Sequence, residues 1–171
     1  MSLSHEAVSA TLPEVSVTRM TEHDLLEVVE LEETSGLSRW GWAAYYAELQ
    51  GNNKHLMLVA RLPPTHGQHR APQLAGYIVA RIGADELHIN NVAVRDGHRR
   101  RGIGRSLLDH ILAEGRRAAV ARAFLELRAG NSAALALYES CGFKITARRA
   151  RYYSDPVEDA LVMITELGGS A

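Results

Sequence analysis

Cysteine is nearly absent from this 171-residue chain, since Cys141 is its single representative. One cysteine excludes an internal disulfide and suits a reducing compartment, so we expect a cytoplasmic protein. Long apolar runs are missing too: no stretch of about 18 consecutive apolar residues occurs, which excludes an ordinary transmembrane helix. Residues 1–13 lack the basic flank and apolar core of a signal peptide, and we expect a flexible segment there.

The chain also lacks an excess of either charge, because nineteen Lys and Arg residues face twenty Asp and Glu residues. This balance excludes a general polyanion-binding surface, so no direct nucleic-acid partner and no membrane partner are expected. Metal-ligand spacing is missing as well. His66 and His69 stand in a polar loop, 63–72, without a cysteine or acidic partner, and no metal is expected. The length suits a single domain over residues 14–167.

What the sequence does contain is a concentration of positive charge in residues 91–108. This stretch is typical of a β-strand, a tight loop and the first turn of a helix. Gly102 and Gly104 permit positive φ angles and close approach of the backbone to a ligand. The amides of residues 101–105 then point outward at a helix N-terminus, which favours an anion. Five of the nineteen basic residues lie here: Arg95, Arg99, Arg100, Arg101 and Arg105.

The pattern predicts a cradle for a pyrophosphate group, but by itself it does not name the ligand. Any strand–turn–helix unit can carry two glycines, so Arg-x-x-Gly-x-Gly is a weak signal alone. It matches neither the Gly-x-Gly-x-x-Gly fingerprint nor a Walker loop ending in Gly-Lys-Ser/Thr. A nicotinamide or ATP site is therefore disfavoured, and another pyrophosphate-bearing cofactor is expected.

Hydrophobic periodicity and breaker residues predict eleven elements in the order β α α β β β α β α β β, an α+β domain. Thr21 and Asp24 form a relative of the capping box before the first helix. Gly36 and Gly142 are placed to end helices. The predicted strands and helices cover residues 15–17, 21–33, 40–49, 55–60, 74–82, 86–94, 104–117, 123–128, 131–139, 143–153 and 158–167.

Glu126 is the first candidate for chemistry. Strand alternation puts its side chain on the same face as Phe124 and Arg128. A carboxylate at the centre of a sheet is costly unless it is paired or used. The alternative is a structural glutamate that pairs with Arg128 at a sheet edge, and spacing alone does not separate the two interpretations.

Tyr138, Asn131 and Cys141 are the other candidates near the next helix. Tyr138 lies in the helix that follows Glu126; a core tyrosine is the common case, and a catalytic hydroxyl is the alternative. Asn131 is expected to cap the N-terminus of that helix, where it could also contact a ligand. Cys141 is expected to be a small buried apolar residue, because no His or acidic residue stands at a spacing that would activate it.

Together these stretches resemble the GNAT superfamily of acetyl-CoA-dependent N-acetyltransferases, and within it the bacterial ribosomal-protein-alanine N-acetyltransferases. The resemblance covers roughly residues 88–165. It implies a mixed, mostly antiparallel central sheet flanked by about four helices. The motifs that carry it are Arg99-x-x-Gly102-x-Gly104 after the strand at 91–94, then residues 124–131, 136–143, 151–153 and 158–163.

The resemblance implies a role for each matching residue. Glu126 would be the general base and Tyr138 the general acid of a direct acetyl transfer. The backbone of Val92 and Val94 would bond the acetyl carbonyl and the pantetheine arm. The loop amides would hold the pyrophosphate. The implied acetyl-CoA-binding residues are Val92, Ala93, Val94, Arg100, Arg101, Gly102, Ile103, Gly104, Arg105 and Asn131.

The acceptor implied by the resemblance is a protein N-terminus, most specifically the N-terminal alanine of a small-subunit ribosomal protein. Residues 152–153 and 158–163 would close over this peptide, and residues 34–42 would face it. The short connection at 154–157 and the long loop at 63–72 leave two alternatives for the acceptor, other protein N-termini or a small-molecule amine. A non-catalytic acetyl-CoA-binding module is a third interpretation, and the presence of both Glu126 and Tyr138 argues against it.

Overall fold

A computed structural model describes residues 15–37, 39–51, 54–64 and 72–168 of the chain. The segment 1–13 and most of the predicted loop 63–72 lie outside these residues. The predicted order of elements is confirmed, with two short 3₁₀ turns added at Glu22–Asp24 and Asp96–His98. The elements are β1 (Ser16–Arg19), α1 (Leu25–Thr34), α2 (Gly41–Leu49), β2 (His55–Leu62), β3 (Gln73–Gly83), β4 (Glu86–Val94), α3 (Ile103–Arg117), β5 (Arg122–Arg128), α4 (Ser132–Ser140), β6 (Lys144–Ser154) and β7 (Val157–Glu166).

The seven strands form one sheet in the order β1-β2-β3-β4-β5-β7-β6. Every neighbouring pair is antiparallel except β4 and β5, which run parallel because α3 crosses over between them. The mixed, mostly antiparallel sheet expected from the sequence is thus confirmed. None of the helices in the described part of the chain is both long and apolar enough to cross a membrane.

Local signals in the sequence set the helix boundaries. The Thr21 N–H and hydroxyl both donate to Asp24 Oδ2, at 2.7 and 2.9 Å, ahead of α1. Asn131 Oδ1 accepts the Ala134 N–H at 3.1 Å, which is the N-cap that the sequence predicts for α4. Gly142 follows α4 with a φ of +89°, a left-handed conformation that favours glycine at a helix end.

Helices cover the two faces of the sheet unequally. On one face, here called the α3 face, α3 and α4 bury a large apolar layer. On the other, the α1–α2 face, α1 packs on β3 and β4 while α2 packs on β2. The side chains of β5, β7 and β6 on this second face lie beyond the cover of α1 and α2. Glu126 points to this open area, as the alternation of buried Leu125 and Leu127 with half-buried Glu126 requires.

A bulge in β4 supplies the only buried side-chain amide of that strand, Asn91. Pairing with β3 shifts between Val79 and Ala80, so one residue of β4 is left over beside Asn91. Asn91 Nδ2 donates to the Tyr45 hydroxyl at 3.1 Å. That hydroxyl donates to Glu32 Oε1 at 2.7 Å and lies 3.0 Å from the Tyr77 hydroxyl. The bulge of β4 is thereby tied to α1 and α2.

Glu32 completes this buried network at the beginning of α2. Its carboxylate is 1% exposed and accepts the backbone N–H groups of Trp40 and Gly41, at 2.8 and 3.0 Å. These amides belong to the unpaired donors at a helix N-terminus, where a carboxylate is favourable. Burial raises the pKa of Tyr77 to about 12, so its hydroxyl keeps its proton at neutral pH.

We predict that Tyr45→Phe lowers the free energy of unfolding by about 1–3 kcal/mol, because one hydroxyl satisfies several buried partners at once. Chemical denaturation measures the change. Tyr46→Phe is the matched control, since Tyr46 is the next residue and stacks on Trp42 at 4.8 Å. Equal stability of the two variants would show that the Tyr45 hydroxyl contributes nothing to the fold.

Candidate active site

The parallel pairing of β4 with β5 is short and opens a gap in the sheet. It joins four residues of each strand and ends at the pair Ile89↔Leu125. Beyond that pair β4 stays joined to β3 and β5 stays joined to β7. The carboxyl ends of the two strands therefore part, and α3 and α4 both begin at this edge. An opening at the carboxyl ends of parallel strands is where ligands bind in open sheets of this kind.

The backbone of β4 directs polar groups of Val92 and Val94 into the gap. The Arg95 N–H donates to Ala75 O at 2.8 Å, which fixes the side of the strand that pairs with β3. Alternation then directs the N–H and C=O groups of Val92 and Val94 into the gap, and those of Ala93 toward β3. This arrangement suits Val92 and Val94 to an extended ligand that adds beside the strand.

The loop before α3 has the backbone form that the sequence predicts for an anion cradle. Gly102 precedes the helix with a φ of +76°, and Arg100 also takes a left-handed φ of +64°. The Ser106 N–H donates to Gly102 O at 2.9 Å, which leaves the amides of Ile103, Gly104 and Arg105 as the first, unpaired donors of the helix. Successive amides in such a turn form a concave anion site.

The arginines of this loop differ in what they contact. Arg99 Nε donates to Val94 O at 3.2 Å, and its guanidinium pairs with Asp96 at 2.9 Å, so it braces the loop. Arg105 lies 3.7 Å from Asp109. Within the described residues Arg100 and Arg101 form no ion pair, so their charges are not balanced by a neighbouring carboxylate.

His98 lies in the same loop, where its surroundings disfavour the charged form of the imidazole and lower its pKa. Burial lowers the pKa of His98, and the charges of Arg101 and Arg95 lower it further. Its Nε2 is 3.3 Å from Gln73 Oε1.

Gly104 has a packing role that its position in the motif does not reveal. A Cβ at this residue would come within 3.0 Å of Leu137 Cδ2 on α4. The missing side chain therefore lets the first turn of α3 approach α4 closely. Gly102 meets nothing within 4 Å, so its glycine is required by the positive φ alone.

Glu126 is the first residue of β5 beyond the last pair with β4, Ile89↔Leu125. Its ion-pair partner is not Arg128, the residue that sequence spacing suggested. Arg149 Nη1 on β6 lies 2.8 Å from Glu126 Oε1. The alternative of a structural pair with Arg128 at a sheet edge is wrong, since β5 lies between β4 and β7 and Arg128 pairs with Glu158 at 3.2 Å. Only long-range pairing across the final hairpin decides between these two arginines.

Two tyrosines of β6 lie near Glu126, and one of them, Tyr153, also lies near Tyr138. Hydrogen bonding to the Glu126 carboxylate raises the pKa of Tyr152. Burial raises the pKa of Tyr153, and the charge of Glu126 adds to this effect. Burial also raises the pKa of Tyr138, with Tyr153 as a further contributor. Tyr153 is thus within electrostatic range of both Glu126 and Tyr138, although the two belong to opposite faces of the sheet.

Tyr138 keeps its proton and packs like the core tyrosine that the sequence allowed. Its ring meets Phe143 edge to face at 5.9 Å, and the side chain is 8% exposed. Within the described residues its hydroxyl has no hydrogen-bond partner. A buried phenol with an open hydroxyl is compatible with both interpretations, packing and proton donation. Cys141 is half-buried beside it, 3.9 Å from the Ser140 hydroxyl.

Three further residues shape the site: Arg149, which the sequence did not single out, and Glu158 and Asp159, which it included only within the stretch 158–163. Glu158 Oε1 accepts the Gly130 N–H at 2.6 Å, next to the Asn131 cap of α4. Asp159 Oδ1 accepts the Arg151 N–H at 2.8 Å. The adjacent acidic pair in the last hairpin was a visible signal, but its partners lie 8 to 30 residues away in the chain. Among the described residues no group of three His, Cys, Asp or Glu side chains could hold a metal ion.

Comparisons with known proteins agree with this geometry. The model of the acetyltransferase (GNAT) family matches residues 25–143. The [ribosomal protein bS18]-alanine N-acetyltransferase of Escherichia coli is 41% identical over 93 residues, 53% of this chain and 63% of that protein. The N-alpha-acetyltransferase RimI of Mycobacterium tuberculosis is 32% identical over 167 residues, 94% of this chain and 98% of that one.

A solved structure gives the same result for the fold. The crystal structure of the ribosomal-protein-S18-alanine N-acetyltransferase from Escherichia coli superposes with a TM-score of 0.77 at 28% identity, covering 92% of this chain and 97% of that one. In sequence, the match spans just under two thirds of the Escherichia coli relative. The chain belongs to the GNAT acetyltransferase family.

We predict that Gly102→Ala destabilises the protein by about 1–2 kcal/mol, because an alanine must adopt the left-handed φ of +76° seen at this residue. Chemical denaturation measures the loss. Gly97→Ala is the matched control in the same loop: a Cβ there also meets nothing within 4 Å, and Gly97 has no positive φ. A loss at Gly97 equal to that at Gly102 would contradict the prediction.

Proposed function

We propose that this protein transfers the acetyl group of acetyl-CoA to the α-amine of a protein N-terminus. The observation that supports this most directly is the gap between β4 and β5, which has an amide cradle at one end and Glu126 beside it. Membership of the GNAT family supports acetyl-CoA as the cosubstrate. The names of the relatives support the N-terminal alanine of a small-subunit ribosomal protein as the acceptor, which would place the reaction in the cytoplasm.

The residues of the gap fit the parts of acetyl-CoA in order. The outward amides of residues 100–105 would take the pyrophosphate, with Arg100 and Arg101 adding charge. The backbone of Val92 and Val94 would bond the pantetheine arm and the acetyl carbonyl, although Val94 O also accepts Arg99 Nε at 3.2 Å. A backbone N–H aimed at that carbonyl stabilises the oxyanion that forms during transfer. Asn131, at the beginning of α4, would contact the cofactor from the other side of the gap.

Glu126 would act as the general base. A peptide α-ammonium has a reference pKa of about 7.7–8.0, so its proton is held only modestly at neutral pH. Glu126, directly or through a water molecule, would accept this proton. The free amine then attacks the thioester carbonyl, forms the amide bond and releases the thiolate. Direct transfer needs no covalent intermediate on the protein, which agrees with the absence of an activated Cys141.

Tyr138 would act as the general acid for the leaving sulfur of CoA. Burial raises the pKa of Tyr138, so its hydroxyl is protonated at any physiological pH. The hydroxyl would donate a hydrogen bond to the sulfur as negative charge develops there, and would supply the proton that completes the thiol. A hydroxyl without a hydrogen-bond partner among the described residues is available for this role.

Fewer observations support the choice of acceptor than support acetyl-CoA as the cosubstrate. Tyr152 and Tyr153 flank Glu126 from β6 and would contact the first residues of a peptide. Their positions are also compatible with other protein N-termini or a small-molecule amine.

A peptide screen tests the acceptor. The protein is incubated with acetyl-CoA and peptides that differ only at the first residue, together with a peptide whose N-terminus is blocked and whose only amine is a lysine. We expect a mass gain of one acetyl group on the alanine peptide, at a higher kcat/KM than on the other peptides. Acetylation of the lysine peptide or of a small amine alone would contradict an N-terminal acceptor, and equal rates on all peptides would contradict alanine selectivity.

We predict that Glu126→Gln and Tyr138→Phe each lower kcat by roughly 10²-fold or more, the range expected when a general acid or base is lost. Both substitutions keep the shape of the side chain, so acetyl-CoA affinity, measured by calorimetry, stays nearly unchanged. Tyr46→Phe is a control for the loss of a tyrosine hydroxyl elsewhere. Unchanged turnover in both Glu126→Gln and Tyr138→Phe would remove the catalytic assignment and favour a non-catalytic binding module.

A further inference from the structure

Glu126 already holds a cation. Arg149 Nη1 lies 2.8 Å from its carboxylate, and the Arg149 guanidinium carbon lies 5.5 Å from the centre of the Tyr152 ring. A carboxylate with an aromatic ring beside it is a favourable environment for a positive charge. The other arginine of the area, Arg128, is bound to Glu158 and to the carbonyls of Asp155 and Pro156. The cation that pairs with Glu126 is therefore Arg149 and not Arg128.

The local form of β6 brings Arg149 and Tyr152 to the same carboxylate. Regular pairing with β7 jumps from Arg149↔Ala160 to Tyr153↔Glu158, so residues 150–152 bulge out opposite Asp159 alone. Arg151 takes a left-handed φ of +51° in this bulge, and Asp159 accepts its N–H at 2.8 Å. Asp159 also binds Arg148 Nε at 2.7 Å. The bulge is thus braced from β7.

We propose that the Arg149 guanidinium occupies, in the absence of acceptor, the cation site that the acceptor's ammonium group takes before acetylation. This inference rests on the proposed function only in that the acceptor is an amine. A guanidinium keeps its proton at physiological pH and cannot be acetylated by this route, so it fills the site without reacting. The Arg149 side chain is 51% exposed, against 19% for Glu126, so the arginine is free to swing outward while the carboxylate stays in place.

The exchange makes Arg149 a competitor of the acceptor's ammonium group for Glu126. A cationic amine replaces one ion pair of Glu126 with another, so the carboxylate is never left half-buried without a partner. A ligand without a cation leaves the pair of Arg149 and Glu126 in place. Arg149 therefore lowers the apparent affinity of acceptors that arrive as ammonium ions, by the strength of its own contact.

The test is Arg149→Gln, assayed with the best acceptor from the peptide screen. We expect the acceptor KM to fall about two- to five-fold at unchanged kcat, the effect of removing a competing exposed ion pair. Arg149→Lys should restore the wild-type KM, because it returns a cation to the strand. Lys144→Gln is the matched control: it removes one positive charge from β6, and Lys144 pairs in register with Ile164, away from Glu126. Its KM should equal that of the wild type.

A des-amino peptide, in which hydrogen replaces the terminal ammonium, tests the site itself. It does not need to displace Arg149, so its inhibition constant should be the same for the wild type and Arg149→Gln. A rise in the acceptor KM of Arg149→Gln would show instead that Arg149 holds the peptide. A fall in kcat at constant KM would show that it orients Glu126 for the reaction. Either result overturns the proposal.

A failure of the Arg149 proposal can be distinguished from a failure of the proposed function. If the wild type acetylates a lysine or a small amine, the same comparison is made with that acceptor, which also arrives as a cation. If it acetylates no amine, calorimetric titration with alaninamide in the presence of CoA measures the exchange without turnover. Tighter binding of alaninamide to Arg149→Gln supports the proposal, and equal binding to both proteins refutes it.

Discussion

The end of the β4–β5 pairing at Ile89↔Leu125 is the constraint on which the rest of the site depends. Backbone N–H and C=O groups need partners, and a strand that loses its neighbour presents a row of them. Here the row belongs to Val92 and Val94, at the edge where α3 and α4 begin. The chain therefore presents polar backbone groups at a gap that has the N-terminus of α3 at one end and the Glu126 carboxylate beside it.

The gap between β4 and β5 is kept open because each of these strands is held by partners on the side away from the gap. On the β5 side, seven residue pairs join β5 to β7. On the β4 side, Asn91 and the Tyr45 hydroxyl connect the bulge to the buried Glu32 carboxylate, so closing β4 onto β5 would disrupt a satisfied buried network. The opening is consequently a property of the folded chain, ready before any ligand arrives, and its ordering cost is met during folding and not during binding.

Much of the fold and part of the site could be predicted from the sequence, because those features depend on neighbours in the chain. The order of elements, the Asn131 cap and the positive φ of Gly102 follow from periodicity and backbone sterics within a few residues. The partner of Glu126 could not be predicted. Arg128 and Arg149 are equally plausible by charge, and the choice is made by a strand order in which β7 separates β5 from β6. The Asn91–Tyr45–Glu32 network, which spans 59 positions, was invisible for the same reason.

The arginine-rich loop shows how local charge can mislead about what binds an anion. Arg99 is committed to Val94 and Asp96, and Arg105 lies near Asp109, so part of the positive charge is already balanced within the fold. Exposed ion pairs contribute at most about 1 kcal/mol each and are screened by salt. The amides of residues 103–105, in contrast, are fixed in direction by α3 and need no reorganisation. In the proposed site, the selective part of the cradle would therefore be the backbone that Gly102 makes possible, and the side chains of Arg100 and Arg101 would chiefly raise the rate at which an anion finds it.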